Sequence, residues 1–416
     1  MTAKLKIPRD YFIFVFCLYM FVFEMALVTL WNGFGYWDEF YAALVIPLLI
    51  LRHVPVKTNK NMFCMWLFLI LFILTALISN IFYRYQKVLY VAEDAFFNVK
   101  FIFSIYTTIF LFKEFNFLKY KNKIKKHVYF IISVLFILLV VNKILHVFPT
   151  VDPRFGMGSE KLIFSHPTYL ASTSFILALL VTFLYEGKRI DLVYLIMTLL
   201  LSASTYRSKA LAAVAIYVVL FSWQMIFKQR LGIFIKVLGC ILAVGIGWSQ
   251  LYFYFFGDQS DEMSRGVLMS TGWKIAKDYF PLGTGLGTFA SAPSQYNYSP
   301  VYYSYHLSTI WGLSPENAVY ISDSFWPMII GEGGYLGLVW YILYLIMVYR
   351  VFIGSVRKTP CLYMAGLGAF IYLLISSFGE SAFVNPYAMF MGFLFGMIWL
   401  VKEKNVSNLD DHIFNT

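Results

Sequence analysis

Residues 62–82 read MFCMWLFLILFILTALISNIF, 21 positions without a charge. Wound as an α-helix rising 1.5 Å per residue, the stretch is about 31 Å long, the thickness of the hydrocarbon layer of a bilayer. Lys57 and Lys60 stand before it, Arg84 and Lys87 after it. A helix on the surface of a soluble core keeps one polar face, whereas this run is apolar all round, as a membrane span is. Comparable runs recur near 11–31, 38–51, 95–112, 128–148, 168–185, 190–203, 210–227, 231–256, 324–349, 361–379 and 383–401. The second and seventh are short. The pattern predicts an all-α integral membrane protein of about twelve transmembrane helices. Spans one to nine fall within 1–256, a large outer loop within 257–322, spans ten to twelve within 323–401, and a cytoplasmic tail at 402–416.

Composition agrees. Of 416 residues, 60% are hydrophobic and 13% charged, against roughly 45–50% and about 25% in soluble domains. The first apolar run is long and lacks a small-residue cleavage site, so no cleavable signal peptide is expected. The four cysteines, Cys17, Cys64, Cys240 and Cys361, lie in or beside apolar runs with no CxxC pair, which argues against a disulfide framework or a zinc site.

The net charge of +11 raises the question of a nucleic-acid partner, and its placement answers it. With the N-terminus in the cytoplasm, 22 of the 33 basic residues flank the inner ends of the spans, nine lie outside, and Lys100 and Lys143 fall within spans. Lysine and arginine collect on the cytoplasmic side of membrane proteins, so the basic balance is topology and not a nucleic-acid surface. It places both termini in the cytoplasm and the 257–322 loop outside. The lysine-rich segment 113–126 reads as an orientation signal near anionic lipid.

Long loops in compact folds are usually functional or disordered; the aromatic residues and glycine turns of this one argue for order. Residues 261–279 carry a weak helical pattern, capped by Asp258 or Ser260 and ended by Pro281. Gly283-Thr-Gly285-Leu-Gly287 does not have the spacing of a nucleotide-binding loop and is expected to form a tight turn beside the membrane surface. The run 295–306, QYNYSPVYYSYH, suits either sugar stacking or an interfacial aromatic belt.

Basic residues on the outer side oppose the orientation signal, which makes each a candidate for function. Arg207 and Lys209 lie where the seventh span turns into the eighth, in LSASTYRSK (201–209), and Arg265 opens the outer helix. Arginine presents a planar fork that grips phosphate through parallel hydrogen bonds, so these three suit a lipid diphosphate. Lys100 and Lys143 sit in apolar sequence, where a charge needs a cavity, a partner or a reach to the headgroups. Among acids, Asp323 stands at the start of the tenth span, either as a general base for a sugar hydroxyl or as the N-cap of that helix. Glu332, in Gly331-Glu-Gly-Gly334, is expected to pair structurally with a basic residue. His166 and His306 are the external histidines.

The order of these features resembles the O-antigen polymerase and ligase superfamily (Wzy and WaaL types). The matching features are the Ser-x-Ser-x-x-Arg-like turn, the long outer loop opening with Arg265, then Trp273, Pro281-Leu-Gly-Thr-Gly-Leu-Gly-Thr-Phe289 and Gly331-Glu-Gly-Gly-Tyr-Leu-Gly337. The resemblance implies a glycosyltransferase without metal or cofactor. Its donor is an undecaprenyl-diphosphate-linked oligosaccharide, used on the outer face of the bacterial plasma membrane. It implies membrane lipids, a flippase and a chain-length regulator as partners, and a diphosphate-binding role for Arg207 and Arg265. Ligases of the family carry a histidine, usually followed by asparagine, where the loop meets the tenth span. Asp323-Ser324 stands here instead, which points to a polymerase with Asp323 as base. The alternatives are a ligase acting on lipid A–core, and a transporter or flippase without covalent chemistry. A transporter usually shows two similar halves or paired breaks in its helices, and neither is visible in the sequence.

Overall fold

The computed structural model describes residues 9–52, 59–154, 156–226 and 264–414, with Gly232, Leu238, Ile241 and Gly245 between. Most of the ninth expected span (231–256) and the start of the outer loop, including Asp258 and Ser260, lie outside the described residues.

The described residues are mostly helical, with almost no sheet. The main helices are α1 (Arg9–Leu27), α2 (Trp37–Ala43), α3 (Val45–Arg52), α4 (Lys60–Tyr83), α5 (Val88–Leu111), α6 (Phe117–Leu145), α7 (Pro167–Phe183), α8 (Arg189–Ala203), α9 (Ser208–Phe221), α10 (Ser264–Asp278), α11 (Phe325–Val348), α12 (Pro360–Ser376) and α13 (Pro386–Phe414). A two-stranded antiparallel hairpin, β1 (Val151–Arg154) and β2 (Met157–Ser159), is the only sheet among the described residues. Among the described residues, five helical stretches are long and apolar enough to cross a membrane: Arg9–Leu27, Lys60–Tyr83, Phe117–Leu145, Ser208–Met225 and Phe325–Val356. Pro167–Phe183 and Pro360–Ser376 are apolar but shorter. The expected second span is two short helices meeting at Leu44.

Aromatic packing joins distant segments at the core. The Phe14 ring meets those of Phe112, Phe115, Phe117 and Phe393 at centroid distances of 5.3–5.5 Å. The lysine-rich segment, expected as a loop, is helical from Phe117 on. Asn116 caps α6 by accepting from the Lys119 amide, and the helix carries Lys121 and Lys125 into ion pairs. Buried Lys125 meets Asp191 at 2.7 Å and Glu186 at 3.2 Å. Lys143 is neither free nor reaching alone for the surface, because it pairs with Glu160 at 2.8 Å.

Two features set the position of the charged residues. First, α6 and α8 are aligned by the stacked rings of Tyr129 and Tyr194, 3.8 Å apart. From that level α6 runs on for about 24 Å and α8 for only about 14 Å, so the turn after α8 lies roughly 10 Å short of the end of α6. Second, α11 is not one rod. Phe325 and Tyr341 are 16 positions apart, about 24 Å along a straight helix, yet their ring centroids are 5.3 Å apart. The helix breaks at Gly334, whose backbone is left-handed and non-helical (φ 64°, ψ −159°), and its two halves fold against each other. The single tenth span expected from sequence is therefore a short first half followed by a longer second half.

Candidate functional site

The turn between α8 and α9 is built by its own hydroxyl groups. Ser204 Oγ and Thr205 Oγ1 donate to the carbonyls of Leu201 and Ser202 at 2.8 Å, and Ser202 Oγ donates to Ala171 O of α7 at 3.0 Å. Such local bonds divert the backbone from the helical ladder. They end α8 and leave Arg207 at the N-cap position of α9, buried. One Arg207 terminal nitrogen lies 2.6 Å from Asp152 Oδ2 of the β-hairpin and 3.3 Å from His166 Nε2.

His166 caps α7, its Nδ1 accepting from the Thr168 amide at 3.2 Å. That acceptor role puts the ring proton on Nε2, which faces Asp152 Oδ2 at 3.9 Å. The Arg207 contact is then packing and not a hydrogen bond, since both nitrogens would be donors. Burial first, and the Arg207 charge second, push the His166 pKa down to about 4. The ring is neutral at physiological pH, and Asp152 is held below the usual carboxylate range chiefly by its bond to Arg207.

Lys209, in the first turn of α9, forms an ion pair with Glu380, which lies in the turn between α12 and α13 and also accepts from Tyr387 Oη at 2.5 Å. Arg265, in the first turn of α10, donates to Asp323 Oδ2 at 3.1 Å. Asp323 does not cap α11. The helix begins at Phe325 with Ser324 as its N-cap residue, and no side-chain cap bond forms. Burial raises the Asp323 carboxyl above its ordinary range, against the opposing pull of Arg265. Ser381 Oγ donates to Ser322 O at 2.6 Å, tying the Glu380 turn to the Asp323 segment. Lys209 lies within electrostatic reach of both Arg207 and Arg265, and Asp323 within reach of Glu380 and Lys209.

The structure thus gathers Arg207, Lys209, Arg265, Asp323 and His166 from four separate segments into one cluster. It adds Asp152 and Glu380, which the charge argument passed over. Three cations face three carboxylates, so the cluster is balanced as it stands. One donor is left over: the buried Arg207 Nε has no partner among the described residues, an uncommon state for a buried polar atom.

The other candidates lie elsewhere. Lys100, 3% exposed, is held by Asp38 at 2.8 Å and Glu39 at 2.9 Å, with Glu24 Oε1 accepting from the Asp38 amide at 3.3 Å. Tyr169 lies within electrostatic reach of Asp38 and Glu24 as well as Glu380 and Asp323, so the two charged groups are neighbours without sharing an ion pair. The exposed His306 enters no ion pair of the cluster among the described residues.

Glu332 does not pair with a basic residue. Its Oε1 accepts from the amides of Thr288 and Phe289 at 2.9 and 3.0 Å and from Ser291 Oγ at 2.8 Å, and its carboxyl faces that of Asp94. The glycine-rich run is correspondingly not a surface turn. It threads into the break of α11, where the Thr284 and Gly285 amides donate to Gly331 O and Glu332 O at 2.9 and 3.0 Å, and the Leu336 amide donates to Pro281 O at 3.2 Å. Asn80 of α4 binds both the amide and the carbonyl of Leu286. A Cβ on Gly283 would stand 2.3 Å from Gly331 O, and one on Gly334 2.0 Å from Leu282 O, so both positions require glycine. The tyrosine run divides. Tyr302 is buried, bonded to the Ala290 amide and Ser294, whereas Tyr296 and Tyr303 are more than half exposed.

Among the described residues no group of three or more His, Cys, Asp or Glu side chains is placed to hold a metal ion. Compared with known proteins, the chain matches no family model and no curated protein.

Proposed function

We propose that the protein is a membrane-embedded polysaccharide polymerase. It moves a glycan from undecaprenyl diphosphate onto the terminal sugar of a lipid-linked repeat unit, on the outer face of the bacterial plasma membrane. The observation that carries this reading is the gathering of Arg207, Lys209, Arg265 and Asp323 within an apolar helical bundle, with a guanidinium donor to spare. The hydroxyl oxygen of the acceptor sugar attacks the anomeric carbon of the donor glycan, and the bond from that carbon to the diphosphate oxygen breaks. Asp323 takes the hydroxyl proton, for which a raised carboxyl pKa is favourable. Undecaprenyl diphosphate leaves with its new negative charge met by Arg265, whose carboxylate partner Asp323 has become neutral on taking the proton, and with hydrogen bonds from Arg207 and Lys209, a stabilisation that is strong where water is scarce. Asp152, Glu380 and Asp323 hold the cations in place before substrate arrives.

In this reading twelve spans cross the membrane and residues 264–322 lie outside. Asp323-Ser324, in place of the histidine of ligases, favours polymerase over ligase. One observation favours a second reading: the break in α11 at Gly334 is of the kind seen in transporters and flippases, although its freed carbonyls are taken by the glycine loop and do not face a cavity. The two readings separate on the arginines. If Arg207 and Arg265 bind diphosphate through two bonds each, Arg→Lys at either position impairs polymer formation nearly as much as Arg→Ala. Full glycan chains from both lysine variants at normal protein level would remove the diphosphate role.

A further inference from the structure

Glu332 and Asp94 meet face to face in the interior of the bundle. Glu332, two residues before the break in α11, is 0% exposed, and Asp94, in the second turn of α5, is 1% exposed. Their carboxyls lie within hydrogen-bonding reach of each other. The other titratable groups around them are Glu93, beside Asp94 and bonded to Tyr296, and Tyr302 near Glu332. No lysine, arginine or histidine among the described residues forms an ion pair with either acid. Two ionised carboxylates in contact repel strongly where no cation offsets them, and such a pair keeps one proton between its members.

The hydrogen bonds identify the oxygen that carries this proton. Glu332 Oε1 accepts from the Thr288 and Phe289 amides and from Ser291 Oγ, as the carbonyl oxygen of an acid does. Glu332 Oε2 is buried as well and receives no hydrogen bond among the described residues. For a carboxylate oxygen that state is costly. For the O–H oxygen of a carboxylic acid it is natural, because that oxygen donates. Asp94 shows the complementary pattern of an ionised acceptor, its Oδ2 taking the Gly287 amide at 3.0 Å.

We infer that Glu332 is a neutral carboxylic acid whose Oε2 proton is donated to the Asp94 carboxylate, and that this single bound proton locks the glycine loop into the break of α11. Both acids grip the loop, Asp94 at Gly287 and Glu332 at Thr288, Phe289 and Ser291. The same loop donates to the freed carbonyls of Gly331 and Glu332. Removing the proton leaves like charges facing each other on the two anchors of one loop, and their repulsion releases it. The first half of α11, which follows directly on Asp323, loses its support at the same time. The proton therefore couples the order of the loop to the segment that carries Asp323, whatever reaction the charged cluster performs.

The test uses purified full-length protein, with infrared spectroscopy to detect the proton and amide hydrogen exchange to follow the loop. At neutral pH the difference spectrum of wild type against Glu332→Gln should contain a carboxylic-acid C=O band that shifts in D2O. Asp94→Asn offers that acid a weaker acceptor and should move the band to higher frequency. Glutamine has the shape of the neutral acid and can donate to Asp94 through its amide. Glu332→Gln should therefore reach normal abundance and keep the amides of 284–291 protected. As pH rises, exchange of those amides should accelerate in wild type beyond that of Glu332→Gln at the same pH. A difference spectrum with only a carboxylate band, or a band indifferent to Asp94→Asn, would overturn the proton assignment. Loss of Glu332→Gln from the membrane fraction would overturn it too, and equal exchange of the two proteins at every pH would remove the lock.

Discussion

Asp323 and Glu332 are nine residues apart, both acids at the start of one helix, and the protein treats them in opposite ways. Glu332 is fully buried, with one oxygen accepting three hydrogen bonds. The loop it holds passes its backbone bonds to α11, Asn80, Gln86 and Asp94. Asp323 is 36% exposed, with a single arginine on one oxygen. The first arrangement is closed to solvent, its second oxygen buried without a hydrogen-bond donor among the described residues. The second is paired but accessible. Charge and proximity to the same helix do not separate scaffold from site; accessibility does, with Glu332 fully buried and Asp323 partly open.

The largest effects are expected on the scaffold side. Glu332→Ala orphans three buried donors, at about 1–3 kcal/mol each, a total comparable to the whole stability of many domains. Gly334→Ala places a methyl carbon against Leu282 O in a left-handed backbone. Both variants should be lost from the membrane fraction, whereas Asp323→Ala should accumulate normally. Full abundance of Glu332→Ala would break the distinction between the two acids.

A smaller effect concerns pH. The folded protein raises the Asp323 carboxyl above its ordinary value, so the native state binds that proton more tightly than the unfolded chain. Two consequences follow with opposite signs. Activity needs the carboxylate, so it falls as pH drops through the raised pKa, above the ordinary value of about 3.9. The residue's contribution to stability, in contrast, grows as pH falls over the same interval. A pH–rate profile with thermal unfolding of wild type and Asp323→Asn checks both; an acid limb at or below the ordinary aspartate range would contradict the raised value.

Much of the helical pattern was legible, because an apolar run of about 20 residues admits few other structures. The basic members of the cluster were legible for a related reason: Arg207, Lys209 and Arg265 oppose the orientation signal and so need an explanation. Asp152 and Glu380 were not, since an acid at an outward turn opposes nothing. The cap of α11 turned on a single position, Ser324 instead of Asp323, below the precision with which helix ends can be read. Glu332 was expected to pair with a basic residue, but its partners are two amides and a hydroxyl 41–44 residues away, invisible to any local pattern. The break in α11 was hidden because Gly331-Glu-Gly-Gly334 is as compatible with a packed helix as with an interruption; what decides it is the glycine loop supplying donors to the freed carbonyls.

The most direct test exchanges each carboxylate for its amide in protein reconstituted with a defined lipid-linked repeat unit. Asparagine at 323 keeps the shape and the contact with Arg265 but cannot take a proton, whereas glutamine at 332 still accepts from Thr288, Phe289 and Ser291. General-base catalysis contributes typically 10²–10⁴-fold. The account predicts a glycan ladder from wild type and from Glu332→Gln, and a rate lower by about that factor from folded, donor-binding Asp323→Asn. A normal ladder from Asp323→Asn, or no ladder from folded wild type that has bound its substrate, would contradict it.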